Sequence, residues 1–217
     1  MSDFAARRTT MVDTQIRPSD VTKFPIIDAM LTIRREAFVP PQKTGAAYID
    51  DIIDLGEGRF VLDPRTFARM LDGLDIQPED VVLDLGCGLG YSSAILGHLA
   101  ESVIAIEQSD DMVADAEQAL TDEGVMNVAV LAAPIAEGSA KHGPYDVIVL
   151  QGAVQHVPDA LTDQLVDGGR IAAIWDQAGQ GQIKIGYKLD GAITWRFVAN
   201  AGAPVLPGLQ KHNAFAL

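Results

Sequence analysis

Val81-Val82-Leu83-Asp84-Leu85-Gly86-Cys87-Gly88-Leu89-Gly90-Tyr91 is an apolar run that breaks into three glycines at alternate positions. A short apolar run bounded by glycine reads as a buried strand. The glycines let the backbone turn sharply and let a ligand approach with no Cβ in the way. A helical pattern follows at residues 92–99. Ligands on open parallel sheets gather at the carboxyl ends of the strands, where this loop falls.

Outward from that loop, apolar runs alternate with helical stretches. Strands are expected at residues 81–85, 103–107, 128–132, 146–151 and 170–175, with helices at 92–99, 110–123 and 158–166. Nearly continuous apolar strands separated by helices imply a parallel sheet covered on both faces. The tail differs: residues 183–189 and 193–198 flank Asp190-Gly191 and read as an antiparallel hairpin. Upstream, residues 4–40 are helical in pattern, with Ile26, Ile27, Met30 and Ile33 at helical spacing and Pro25 suited to a first turn. Residues 38–58 hold Pro40, Pro41, Gly45, Gly56 and Gly58 and read as irregular chain. A helix is expected from Pro64 to Leu74, burying Phe67, Met70 and Leu71. The fold class is therefore α/β: a doubly wound, mostly parallel, seven-stranded sheet of Rossmann-like form. An N-terminal helical segment (1–59) precedes the core (60–217).

Bulk properties narrow the functions. The 217 residues are 48% hydrophobic, enough for a core without metal or disulfide staples. A single cysteine, Cys87, excludes an intrachain disulfide and fits a reducing compartment. No secretory h-region opens the chain, and no apolar run reaches membrane-spanning length, so a cytoplasmic location without membrane is expected. A net charge of −14 repels phosphate backbones, which argues against nucleic acid as a partner.

The loop's ligand is read from its spacing and its acids. Glu107 ends the next strand about 20 residues on, the position expected for a ribose contact. The dinucleotide fingerprint G-x-G-x-x-G seats a pyrophosphate. Here one residue separates the second and third glycines, and Asp84 beside the ligand would repel a pyrophosphate. A cofactor with an α-amino group and a sulfonium tolerates that acid, so S-adenosylmethionine is favoured over NAD. Asp84 is read either as a cofactor-side carboxylate or as a capping or solvated one.

The sequence resembles the protein-L-isoaspartate O-methyltransferase family over most of its length. Met11-Val12, Gln15-Ile16, Asp28-Ala29-Met30 and Arg35-Glu36-Ala37-Phe38-Val39-Pro40 are similar to its opening helices and its R-E-x-F-V-P segment. Ala47-Tyr48-Ile49-Asp50 and Leu55-Gly56-Glu57-Gly58 resemble the approach to its active-site loop. Gly143-Pro144-Tyr145-Asp146, Val157-Pro158, Leu161, Gln164-Leu165 and Gly168-Gly169 resemble its fourth and fifth strand regions. The resemblance implies an enzyme of protein repair that moves a methyl group from S-adenosylmethionine to an isoaspartyl carboxylate in a damaged protein or peptide. With a pKa near 4, such a carboxylate is already a nucleophile at neutral pH, so no catalytic base is required.

The resemblance also implies a site. Gly86, Cys87, Gly88 and Gly90 would cradle the methionyl portion, with Asp84 near its amino group. Glu107 would accept both ribose hydroxyls, while Gln108 and Ala133 border the adenine. Gln151 would face the methyl group, and Val61 and Leu62 the acceptor. Two positions depart from the family. Its loop G-x-T-I-S-x-P reads Gly58-Arg59-Phe60-Val61-Leu62-Asp63-Pro64, so Leu62 stands at the serine. Its G-D-G reads Ala132-Ala133-Pro134, so Ala133 stands at the adenine-side acid. Arg59 and Asp63 are candidates for compensating polar groups. Two further readings follow from the departures: transfer to a different acceptor, or a non-catalytic cofactor-binding protein.

Lone residues carry less. His156 is read as a loop residue ahead of an acceptor-side base. His98, His142 and His212 have no metal-ligand spacing, and no metal is expected. Cys87 reads as packing ahead of a reactive thiol, Trp175 and Trp195 as core, and Asp50, Asp51 and Asp54 as solvated surface ahead of a loop over the site.

Overall fold

The computed structural model of the chain describes residues 3–177 and 179–211, so His212 lies outside the described residues. In chain order the strands are β1 (Ile53–Gly56), β2 (Arg59–Val61), β3 (Val81–Leu85), β4 (Ser102–Glu107), β5 (Val128–Ala132), β6 (Tyr145–Val154), β7 (Leu165–Gln177), β8 (Gln180–Leu189) and β9 (Ala192–Asn200). The α-helices are α1 (Phe4–Met11), α2 (Phe24–Thr32), α3 (Pro64–Leu74), α4 (Tyr91–Leu99), α5 (Asp110–Asp122) and α6 (Asp159–Thr162).

Seven strands form one sheet in the order β5-β4-β3-β6-β7-β8-β9, parallel as far as β7 and antiparallel for β8 and β9. The chain builds outward from β3 to β5, then returns to lay β6 on the other side of β3. The crevice at this reversal is where open α/β sheets bind ligands, and the glycine loop leaves β3 beside it. The last strands follow one another in sequence order, with β9 at the edge.

Side-chain alternation assigns each strand residue to a face. Leu83, Leu85, Ile106, Ile148, Leu150 and Ile171 belong to one buried cluster, which is closed by Ile135, Leu161, Leu206 and Leu209. Val82, Val103, Ala105, Val147, Val149 and Ala172 belong to the other, packed with residues of α1 to α5. The N-terminal segment shares this second core through Met11, Ile16, Met30 and Phe38. The division expected at 59/60 falls inside β2.

Three expectations are corrected. The helix over 158–166 shrinks to the single turn of α6, because β7 already begins at Leu165, whose buried side chain joins the first cluster. The helical pattern over 4–40 is interrupted by a π turn at Val12–Ile16 and a 3-10 turn at Arg17–Ser19, which ends on Asp20 at φ 64°. The stretch read as irregular contains β1 and the turn of an antiparallel hairpin whose second strand, β2, follows directly. Its turn, Gly56-Glu57-Gly58, has φ of 92°, 53° and 71°. The expected C-terminal hairpin forms, turning on Asp190-Gly191 with both φ positive, as a type I′ turn requires. Trp175 on β7 and Trp195 on β9 meet edge to face at 5.0 Å, a packing role. Among the described residues no helix is long and apolar enough to cross a membrane.

Candidate active site and cofactor cleft

Two acids, Asp84 on β3 and Glu107 on β4, stand beside the glycine loop. Asp84, the fourth residue of β3, is fully buried on the face covered by α4. Its Oδ2 accepts from Ser92 Oγ and Ser93 Oγ, each at 2.6 Å, in the first turn of α4. Its Oδ1 accepts from Gln151 Nε2 at 2.7 Å. Asp84 is thus neither solvated nor a backbone cap. Burial pushes its carboxyl above the usual aspartate range, against the three donors, and the Glu107 charge pushes the same way.

Glu107 ends β4 and is also fully buried. Its Oε1 accepts from Gln108 N at 2.7 Å, and its Oε2 from Gly88 N at 2.9 Å and Arg59 Nε at 3.1 Å. The glycine loop is held against this strand by Gly86 N, which donates to Ile106 O at 2.8 Å. Ala133 is fixed next to Glu107 by donating its N–H to Glu107 O at 3.0 Å, and it brings no carboxylate. Gln108 lines an open groove of about 310 Å³ together with Glu57, Arg59, Glu107, Ser109 and Pro207. Asp84, Glu107, Gln108, Ala133 and the three glycines therefore meet at one crevice.

Gln151 lies inside β6, which runs on to Val154, and not at the strand's end. The pairing of β6 with β7 shifts register between Val149 and Ala153, a bulge of the kind that re-aims side chains. It sends Gln151 to Asp84 and to the wall of a cavity of about 10 Å³, room for one water molecule. Phe60, Val61, Leu62, Phe67, Cys87 and Tyr91 also line that cavity. The Leu62 side chain is buried there and offers no hydrogen bond. Asp63 is an N-cap, accepting from Thr66 N at 2.8 Å, and is no site residue. Cys87 is buried; its thiol is held well above the usual range by burial and by Asp84 and Glu107, so packing is its role.

Several residues of the site go beyond the sequence reading. Ser92 and Ser93 are the main donors to Asp84; the signal was two hydroxyls in the first turn after the glycines. Arg35, read only as part of a motif, is fully buried with no carboxylate partner. It donates from Nε to Ala47 O at 2.7 Å and from Nη2 to Leu62 O at 2.8 Å, and stacks 4.6 Å from the Tyr91 ring centre. Burial lowers its pKa. Leu55 on β1 packs over Gly88, and Leu206 over Gly86 and Gly152. Leu206 arrives on the segment after β9, which bonds β6 through Ala153 N to Pro204 O and Leu206 N to Ala153 O, both 2.9 Å.

The remaining candidates lie apart. His156 follows β6, its backbone bonded to Leu209 O, and does not line the 10 Å³ cavity. His98 pairs with Asp28 at 2.9 Å, and His142 with Ser139 at 2.7 Å. Asp50 pairs with Arg65 and Asp54 with Lys43 at the surface, while Asp51 caps Ile52 N. Gly56 N and Lys43 hold the Asp54 carboxyl below the usual range.

The donor set fits S-adenosylmethionine: buried carboxyl groups at Asp84 and Glu107, Gly86 and Gly88 with no room for a Cβ, and a groove open at Glu107. Comparison with known proteins agrees. The model of the protein-L-isoaspartate(D-aspartate) O-methyltransferase family matches residues 6–199. The protein-L-isoaspartate O-methyltransferase of Koribacter versatilis is 38% identical over 171 residues, 79% of this chain and 77% of that one. The Geobacter metallireducens protein of the same name is 32% identical over 192 residues, 88% of this chain and 89% of that one. A solved protein-L-isoaspartate O-methyltransferase matches at TM-score 0.82 and 22% identity, over 94% of this chain and 67% of that one. A Plasmodium falciparum structure of this kind, in complex with S-adenosyl-L-homocysteine, matches at TM-score 0.80 and 17% identity, over 95% of this chain and 99% of that one. The two solved structures share the fold, and on the family match and the curated relatives the chain belongs to the protein-L-isoaspartate (D-aspartate) O-methyltransferase family, whose members are S-adenosylmethionine-dependent enzymes.

Proposed function

We propose that this chain transfers a methyl group from S-adenosylmethionine to the side-chain carboxylate of an isoaspartyl residue in a protein or peptide. The observation that carries the reading is the Glu107 carboxylate, buried at the carboxyl end of β4 against Gly88 N and Gln108 N, in a chain of this family. Glu107 and Gln108 are assigned to the ribose side. Gly86, Cys87, Gly88 and Gly90 are assigned to the methionyl arm, Asp84 to its amino group, and Ala133 to the adenine edge.

Bound S-adenosylmethionine supplies a methyl carbon activated by a positively charged sulfur. The acceptor carboxylate is ionised at neutral pH and uses a lone pair of its own oxygen, so no side chain has to remove a proton. The protein's task is alignment and exclusion of water. Phe60, Val61, Leu62 and Phe67 form apolar walls for that purpose, and Arg35 pins the loop carrying Leu62 to Ala47. Gln151, tied to Asp84, is assigned to the methionyl side.

The test is transfer of labelled methyl to an isoaspartyl peptide and to its normal aspartyl twin. A base-labile ester on the isoaspartyl peptide alone is expected. Equal, background-level labelling of both would turn attention to a second reading, transfer to another acceptor, which the aliphatic Leu62 favours.

A further inference from the structure

The space above the glycine loop is taken by one of the chain's own cations. We propose that Arg59 is an internal competitor for the cofactor. Its guanidinium must leave Glu107 and Gly86 before S-adenosylmethionine can seat, so residue 59 sets cofactor affinity. This rests on the cofactor site assigned above and deepens it.

Four observations carry the inference. First, Arg59 Nε donates to Glu107 Oε2 at 3.1 Å, and that oxygen already accepts from Gly88 N at 2.9 Å. Its two lone-pair directions are therefore used, and a ribose hydroxyl can bond there only after Arg59 lets go. Second, a Cβ built on Gly86 would collide with Arg59 Nη2. The guanidinium thus fills the close-approach space that a glycine provides. Third, free space lies unequally about the two groups that Arg59 touches. An open groove of about 310 Å³, lined by Arg59 itself, lies on the Glu107 side. On the Gly86 side only the cavity of about 10 Å³ remains, against the few hundred Å³ of an ordinary ligand pocket. Fourth, Arg59 is 4% exposed and its Nη1 is buried without a partner. A buried unsatisfied donor is costly, and swinging into water would relieve it.

Charge points the same way. The incoming sulfonium and the guanidinium are both cations, and a desolvated cleft cannot hold both in one place cheaply. The movement has a carrier, because Leu55 over Gly88 and Arg59 over Gly86 sit on the two strands of one short hairpin. Its turn glycines, Gly56 and Gly58, have open space where a Cβ would be. Displacing that hairpin would clear both glycines together.

The experiment is calorimetric titration of the full chain with S-adenosylmethionine and with S-adenosylhomocysteine, for the unaltered protein, Arg59→Ala and Arg59→Gln, beside thermal unfolding of each. Arg59→Gln leaves a neutral donor near Glu107, in case the alanine variant folds poorly. Both variants should bind at least about tenfold more tightly than the unaltered protein. Saturating S-adenosylhomocysteine should also raise their melting temperatures by more. If the unaltered protein binds and the folded variants bind equally or more weakly, Arg59 is a ligand or a bystander and the inference fails while the cofactor site stands. If none of the folded proteins binds either compound, the cofactor site fails and takes the inference with it.

Discussion

Asp84 is an acid whose burial, helped by the Glu107 charge, favours its protonated form against three hydrogen-bond donors. Its carboxyl titrates above the ordinary range, so the folded state holds a proton where the unfolded chain has released it. The stability it lends is full below the unfolded value of about 4 and is lost as pH rises through the raised folded value. Asp84→Asn removes that titration. Urea denaturation should show the unaltered protein losing stability relative to the variant as pH rises from about 4 towards neutrality. Parallel curves would contradict it. Leu62→Ser, at the family's serine, trades buried apolar packing for a hydroxyl. It should cost about 2–4 kcal/mol of stability and raise isoaspartyl kcat/KM by about tenfold. Lost stability with no gain in transfer would show that Leu62 is a settled feature of the acceptor wall. At this scale Asp84, the glycines and Glu107 were legible because they lie within one strand–loop–helix–strand unit. Ser92 and Ser93 as donors, and Arg59 lying over Gly86, were not, because a sequence does not say which polar side chains turn inward.

The β1–β2 hairpin and the buried Arg35 join elements whose spacing says little about one another. Residues 38–58 look irregular because their prolines and glycines dominate the pattern, yet two strands of four and three residues close over the glycine loop. Such strands are too short to show alternation. α6 fails in the opposite sense: its helical pattern is real, but the pairing of Leu165 with Tyr145 draws the chain into β7. Arg35 ties the Ala47 turn to the Leu62 loop through two carbonyls. Arg35→Met should leave both carbonyls unpaired, at a cost of about 2–4 kcal/mol. Amide exchange should then speed up around Tyr48 and along Arg59–Val61, with β5 and α5 unaffected. Uniform protection in the variant would mean that packing alone holds the loop.

For the whole molecule, the parallel sheet was legible because each buried strand is a continuous apolar run between helical patterns. Strands β3 and β5 have the bounds expected of them. What escaped was long-range. The return of Leu206 across the sheet's carboxyl end depends on the bridge between Ala153 and Val205, far apart in the chain, with no local signal. That return, together with the hairpin, makes the cleft a place where three parts of the chain meet: residues 55–59, 84–107 and 204–209. S-adenosylmethionine is expected to bind there on Glu107. Calorimetric titration of the unaltered protein and of Glu107→Ala tests it most directly. Saturable one-to-one binding by the unaltered protein is expected, weakened at least about tenfold by the substitution, since a charged acceptor is removed. Equal affinity in both proteins would contradict it, as would no binding by either.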